Sequence, residues 1–200
     1  VIDTLTKRGA LPGYDEVYRI AASYWDTRQN DVHVPISHQF AIRLLEYYPE
    51  ADEDIVIPAI LLHDVGWKMV PEEKQLGAFG PGAKDRATQR LHETEGARIA
   101  RQILDQLGHD ELKIREISEI IDGHDTRATA LSLNDKLVKD ADKLWRFTME
   151  GVEIDYARFG IPREEYRAWL KGMIDPWFFT PEARQMALKA WNASACGDSG

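Results

Sequence analysis

Cysteine is almost missing from this sequence: Cys196 is the only one. A single thiol cannot close a disulfide within the chain, so no cystine framework holds the fold, and a reducing cytoplasm is the expected location. Apolar runs approaching the ~20 residues of a membrane span are absent. So is a basic excess, since 25 Lys and Arg stand against 34 Asp and Glu, a net charge of −9. That deficit argues against a wide nucleic-acid-binding face and against a polybasic membrane anchor, so neither a nucleic acid polymer nor a membrane is the expected partner. A small anionic substrate is compatible with it, because a few local Lys or Arg decide that. Alternating β-branched runs and Asn-Gly hairpin signals are lacking too, which excludes a sheet-based architecture. The chain opens on Val1 rather than Met, no signal peptide is legible, and the end ASACGDSG has the small, polar composition of a fraying tail.

What is present is helical periodicity over 200 residues, 44% of them hydrophobic. The expectation is an all-α bundle forming one domain over 1–200, large enough for a sizeable core. The pattern predicts helices over 14–28 and 36–48. A third, capped by Asp52 or Asp54, runs to Gly66. Residues 67–84, with the Gly-rich stretch LGAFGPGAK, read as a loop able to act as a lid. Helices follow over 85–107 and from Asp110 to near Gly123, then a polar connector over 125–132. A helix over 133–149 is closed by Gly151. Two last helices over 162–174 and 181–191 complete the series, the second with Thr180 as cap and Pro181 in its first turn. The aromatic segment DPWFFTPEARQMALKAW is expected either to seal the bundle or to form a homodimer interface.

Histidines stand on apolar helix faces. His92 aligns with Gly96, Ile99, Ile103 and Leu107. His124 continues the row Ile114, Ile117, Ile121. His63 shares a face with Val56 and Ile60, and His38 with Ile42 and Leu45. One such His is ordinarily a core residue bonded to a carbonyl. Four on four helices of one bundle converge on a common core, where bundles build metal sites. His33, before Pro35, and His109, in the LGHD junction, read as solvated. In PAILLHDVGW an apolar helix carries the His63-Asp64 pair, and a buried carboxylate there needs a compensating charge. A metal cation supplies one, and His nitrogens with carboxylate oxygens suit Zn, Fe, Mn, Ni or Co. In NDKLVKDADKLWRF, Lys136, Lys139, Lys143 and Arg146 form a polar stripe. Asp140 and Asp142 fall on opposite borders of the apolar face, and helical geometry does not choose between them.

The order His38, His63-Asp64, Asp142 resembles the H…HD…D signature of the HD-domain superfamily of metal-dependent phosphohydrolases. LLHDVGW is similar to its HD helix, HETEGARIARQIL and ISEIIDGH to two helices after it, and DADKLW to the segment with the final Asp. The likeness spans about 34–148. It implies an all-α fold and a divalent metal (Mn, Fe, Ni, Co, Zn or Mg) on His38, His63, Asp64 and Asp142. Asp142 is preferred because the family's Asp usually precedes a basic residue and Leu, as in ADKL. Trp67 stands where cyclic-dinucleotide phosphodiesterases of the family carry Lys, and VGWKM lacks the Glu of members acting on deoxynucleoside monophosphates.

The resemblance implies a phosphohydrolase of a small phosphorylated metabolite or nucleotide, in which Asp64 is both ligand and base. The expected phosphate-binding cations are Lys68, Arg86, Arg90 and Arg127, which flank the presumed ligands. A second branch of the family, mixed-valent diiron oxygenases that cleave C–C or C–P bonds with O₂, has the pattern H…HD…H…H…D. It can be laid on His38, His63, Asp64, His92, His124 and Asp142. His92 and His124 therefore either hold a second metal or contact substrate. A non-catalytic ligand sensor ranks last, since every presumed ligand is present.

Overall fold

The computed structural model describes residues 14–82 and 85–194, so Cys196 and residues 195–200 of the tail lie outside it. Its helices are α1 (Asp15–Ala22), α2 (Asn30–Tyr47), α3 (Glu53–Leu62), the short α4 (Glu72–Gln75), α5 (Arg86–Gln106), α6 (Glu111–Ile121), α7 (Leu133–Leu144), α8 (Met149–Phe159), α9 (Arg163–Trp177) and α10 (Pro181–Ala193). Among the described residues there is no strand. The fold is all-α.

The axis of the bundle is α3. Every residue from Ile55 to Leu62 is buried, as a helix apolar on all sides requires. It is enclosed by α2, α6 and α7, with α1 and α5 at its edges. Asp52 caps it through the Asp54 amide. It ends at Leu62 rather than Gly66, and a 3-10 turn over Val65–Met69 follows. Gly66 serves a different purpose from a stop. A Cβ there would lie 1.9 Å from the His92 carbonyl and 2.5 Å from the Gly96 amide. Gly66 and Gly96 thus let the turn after His63-Asp64 touch the backbone of α5.

Two further boundaries differ from the expected ones. Helix α2 starts at Asn30 and carries Pro35 within it. Pro35 is the sixth residue of the helix and has no N–H to give the Asp31 carbonyl, so the helix runs through it with one ladder bond missing. The reversal from α1 is made by Arg28 and Gln29, both left-handed (φ 54° and 57°). Arg158 holds it by donating to the Arg28 carbonyl (2.7 Å) and to Gln29 Oε1 (2.8 Å). Helix α8 was not expected at all. Gly151 lies in its first turn, where a Cβ would meet the Trp145 carbonyl at 2.1 Å, and Thr148 caps it by accepting from the Gly151 amide.

The segment after Met69 is packed down. Trp67, Val70, Ala78 and Phe79 form a small core of their own with Phe159. The C-terminal aromatics seal the bundle: Phe178 is buried, with its ring 5.5 Å from that of Phe147. Thr180 caps α10 through the Ala183 amide, with Pro181 in the first turn as expected.

Candidate metal centre

Six side chains from five parts of the chain meet at one buried point. His33 comes from the first turn of α2, His63 and Asp64 from the end of α3, His92 from α5, His124 from the turn after α6, and Asp142 from α7. All six are at most 4% exposed. Donor atoms of His33, His63 and Asp64 lie within 4.8 Å of one another. The same holds for His63, His124 and Asp142, and for Asp64, His92 and His124. Asp64 is at the centre. Its Oδ2 lies 3.2 Å from His33 Nδ1 and 3.7 Å from His63 Nε2. Its Oδ1 lies 3.6 Å from His124 Nε2 and 3.9 Å from His92 Nε2, and accepts a 2.9 Å bond from Trp67 Nε1. Asp142 Oδ1 lies 3.0 Å from His33 Nε2 and 3.3 Å from His63 Nε2.

The set fits a metal by the chemistry of its donors. His63 Nδ1 donates to the Ile60 carbonyl (2.7 Å) and His124 Nδ1 to the Ile121 carbonyl (2.9 Å). Each bond occupies Nδ1 and aims Nε2 into the cluster, the usual outer-shell device around metal-binding histidines. His63 Nε2 and Asp64 Oδ2 are buried without a hydrogen-bond partner, and a buried acceptor in that condition requires a cation or donor.

Other residues hold the ligand-bearing backbone in place. Glu93, next to His92 and wholly buried, accepts from the amides of Asp125 (2.9 Å) and Thr126 (2.8 Å) just past His124. Lys139 donates to the carbonyls of Gly123, His124 and Arg127. The indole of Trp67 stacks on His92 at 4.0 Å, and Trp145 on His33 at 4.6 Å.

Burial alone would raise the carboxyl groups of Asp64 and Asp142. The charges around them outweigh it: His63, His124, His33 and Arg28 at Asp64, and Lys143, His33 and His63 at Asp142 hold both well below the usual range. Burial would lower His124, yet Asp125, Asp64 and Glu93 carry it up to about 9. His92 goes down to about 4, through burial and the neighbouring His124. The two rings, with Nε2 atoms 3.4 Å apart, therefore share one proton at neutral pH.

Several expected site residues sit elsewhere. His38 is outside the cluster. Five residues from His33, it projects about 140° around α2, toward Tyr18, with its ring 6.3 Å away. His33, expected to be solvated, takes the place assigned to His38, because the helix begins a full turn before Pro35. Asp140 faces the other side of α7 and accepts from the amides of Phe179 and Thr180 and the Thr180 hydroxyl. None of the four expected phosphate cations bonds to the six. Lys68 pairs with Asp26. Arg86 donates to the Thr126 carbonyl. Arg90 joins Glu93 and Asp122, and Arg127 holds Asp135 and the carbonyls of Glu119 and Asp122. Arg86, Arg90 and Arg127 thus hold the segment after α6, and Lys68 ties the turn after α3 to the loop before α2.

Other cations stand at the cluster. The Arg28 guanidinium is 3.6 Å from Asp64 Oδ2, between the rings of Trp67 (3.9 Å) and Phe79 (3.7 Å). Lys143 bonds both Asp142 and Asp125, and Asp125 Oδ2 is 3.5 Å from His92 Nε2. Of the polar stripe only Lys136 is exposed; Lys139 and Arg146 are buried. A left-handed Arg with no glycine beside it gives the sequence no signal for Arg28. For Lys143, adjacency to Asp142 was the available clue.

The family model of the HD domain matches residues 16–146. No curated protein and no solved structure matches the chain significantly. The matched span contains all six clustered residues and every helix that presents them, and on this match the chain belongs to the HD domain family.

Proposed function

We propose that this chain is a metal-dependent phosphohydrolase of a small phosphorylated metabolite or nucleotide. One observation carries the reading: a cluster with the donors for a metal adjoins a buried cation whose guanidinium makes no hydrogen bond. Among the described residues the Arg28 side chain makes no hydrogen bond, only the 3.6 Å ion pair with Asp64, and its buried Nε has no partner. Burial lowers it only to about 10, so it is charged at neutral pH. Guanidinium donors held out of water need an acceptor, and a phosphoryl oxygen above Asp64 would be one.

His33, His63, Asp64 and Asp142 would hold the divalent ion. Bound there, it supplies Lewis-acid polarisation of a phosphoryl oxygen and a water nucleophile at neutral pH. The chain's own groups do the rest. Asp64, kept ionised, takes a proton from the attacking water. Arg28 faces the charge that develops on the phosphoryl oxygens. His124, protonated at neutral pH and hydrogen-bonded to His92, gives a proton to the leaving oxygen. Phosphate release from a panel of small phosphate esters, measured with each of Mn, Fe, Ni, Co, Zn and Mg, tests this. About one metal per chain and turnover that Arg28→Gln lowers roughly a hundredfold are expected. Fully loaded protein that releases no phosphate from any ester would overturn it.

A second reading has its own support. The two oxygens of Asp64 face different histidine pairs, Oδ2 toward His33 and His63 and Oδ1 toward His92 and His124. A carboxylate so placed suits a bridge between two ions, the requirement of a mixed-valent diiron oxygenase cleaving a C–C or C–P bond. About two irons per chain with substrate-dependent O₂ consumption would put that reading first.

A further inference from the structure

Beside the cluster lies a cavity of about 240 Å³ whose two ends differ in chemistry. Its inner end is polar and belongs to the site: Asp125, Lys143 and Arg146 line it. Lys143 there is bonded to Asp142, and Asp125 lies against His92. Its outer wall is Trp169, Met173 and Trp177, all from α9 and all half-buried. These residues lie beyond the span matched by the family model.

The wall is rigid and unfinished. Tyr166 on α9 donates to Asp155 on α8 (2.6 Å), and Arg146 pairs with the same carboxylate, which ties the two helices to the end of α7. The rings of Trp169 and Trp177 meet edge to face, 5.2 Å apart at 83°, and so present a corner to the cavity rather than a closed stack. Trp191, by contrast, is bonded through Nε1 to the Arg167 carbonyl. No such bond is made by either corner indole among the described residues. The cavity is smaller than the roughly 300–1,000 Å³ of drug-sized ligand sites, so it suits a single ring or similar group.

We infer that the α9 wall of Trp169, Met173 and Trp177 is the specificity site for the non-reacting part of the substrate, and that this part is a flat apolar ring attached to the phosphoryl group. This rests on the hydrolytic reading for the placement of the phosphoryl group. Lys143, bonded to Asp142, marks the end of the cavity next to the cluster, and the indole corner receives the ring by edge and face contacts.

Binding of two inert phosphonates by the metal-loaded protein, followed by calorimetry, tests the wall without turnover. Phenylphosphonate is expected to bind about tenfold more tightly than methylphosphonate. In Trp169→Ala that ratio should fall toward one while metal content by elemental analysis stays at the wild-type level. Trp169→Leu, which keeps apolar bulk against Tyr166, should show the same loss if the alanine variant does not fold. Equal affinities in the wild type, a ratio unchanged in a folded variant, or a variant that alters oligomeric state with the ratio intact would each overturn the inference. A ring preference abolished by Trp169→Ala in a protein that hydrolyses no ester would uphold the wall and remove the hydrolytic reading. Hydrolysis with the ratio unmoved would do the reverse.

Discussion

Asp140 and Asp142 are separated by one residue of α7, and both are buried, but their surroundings differ in kind. Asp140 meets three neutral donors, two backbone amides and the Thr180 hydroxyl, from the corner between α9 and α10. Asp142 meets two imidazoles and an ammonium. The same contrast recurs on α2, where His33 touches two carboxylates and His38 leaves its Nε2 without a partner against Tyr18. Burial does not distinguish a ligand from a structural group in either pair. The chemistry of the partners does: amides and hydroxyls complete a fold, whereas convergent lone pairs and charges without neutral donors require an ion.

Asp64, which both readings place at the centre, should show the largest effect. Asp64→Ala should lose the metal and reduce turnover by more than the roughly 10–100-fold of an outer-shell change, with helicity by circular dichroism retained. Persistent metal and activity would move the site. The α7 pair separates function from fold next. Asp142→Ala should weaken metal binding at least tenfold with little change in Tm. Asp140→Ala should lower stability by at least about 2 kcal/mol, because it strands two amides and a hydroxyl, and should leave the metal in place. Denaturant unfolding beside metal titration reads both, and an exchange of the two outcomes would reverse the assignment.

On α2 the expected metal loss is about tenfold or more for His33→Ala and none for His38→Ala, measured by competition with a chelating dye. His38 also carries a pH dependence of stability. Burial depresses its pKa from 6.5 to about 4. The unfolded chain therefore binds the proton more readily, and stability falls as pH drops from about 6.5 through 4. A gap of about 2.5 units amounts to roughly 3 kcal/mol below pH 4. His38→Gln should reduce the slope of the stability profile over that window, leaving the part that His92 contributes, and an unaltered profile would show that His38 titrates normally.

Much of the site was legible, and the omissions have specific causes. His63, Asp64, His92 and His124 stood on apolar faces at helical spacing, and that regularity survives folding because a buried stripe must face a core. His33 was hidden by Pro35, which reads as a helix start although α2 begins five residues before it. Helix α8 was hidden by Gly151, whose role is close approach to the Trp145 carbonyl rather than termination. Charged residues were the least legible. Lys139 and Arg146 read as a solvent stripe because hydropathy carries no record of acceptors such as the His124 carbonyl or Asp155 that make their burial tolerable.

The sequence by itself determined the all-α architecture, the His63-Asp64 pair on an apolar segment, and membership in a metal-binding family, since periodicity and short motifs are local properties of the chain. Only the tertiary structure decided which histidine of α2 and which cations join the cluster. Those choices depend on where helices begin and how they cross: on the left-handed Arg28-Gln29 reversal, and on the Gly66–Gly96 contact that brings α5 against Asp64. Such contacts join residues distant in the chain, and their energies exist only once both sides are in place.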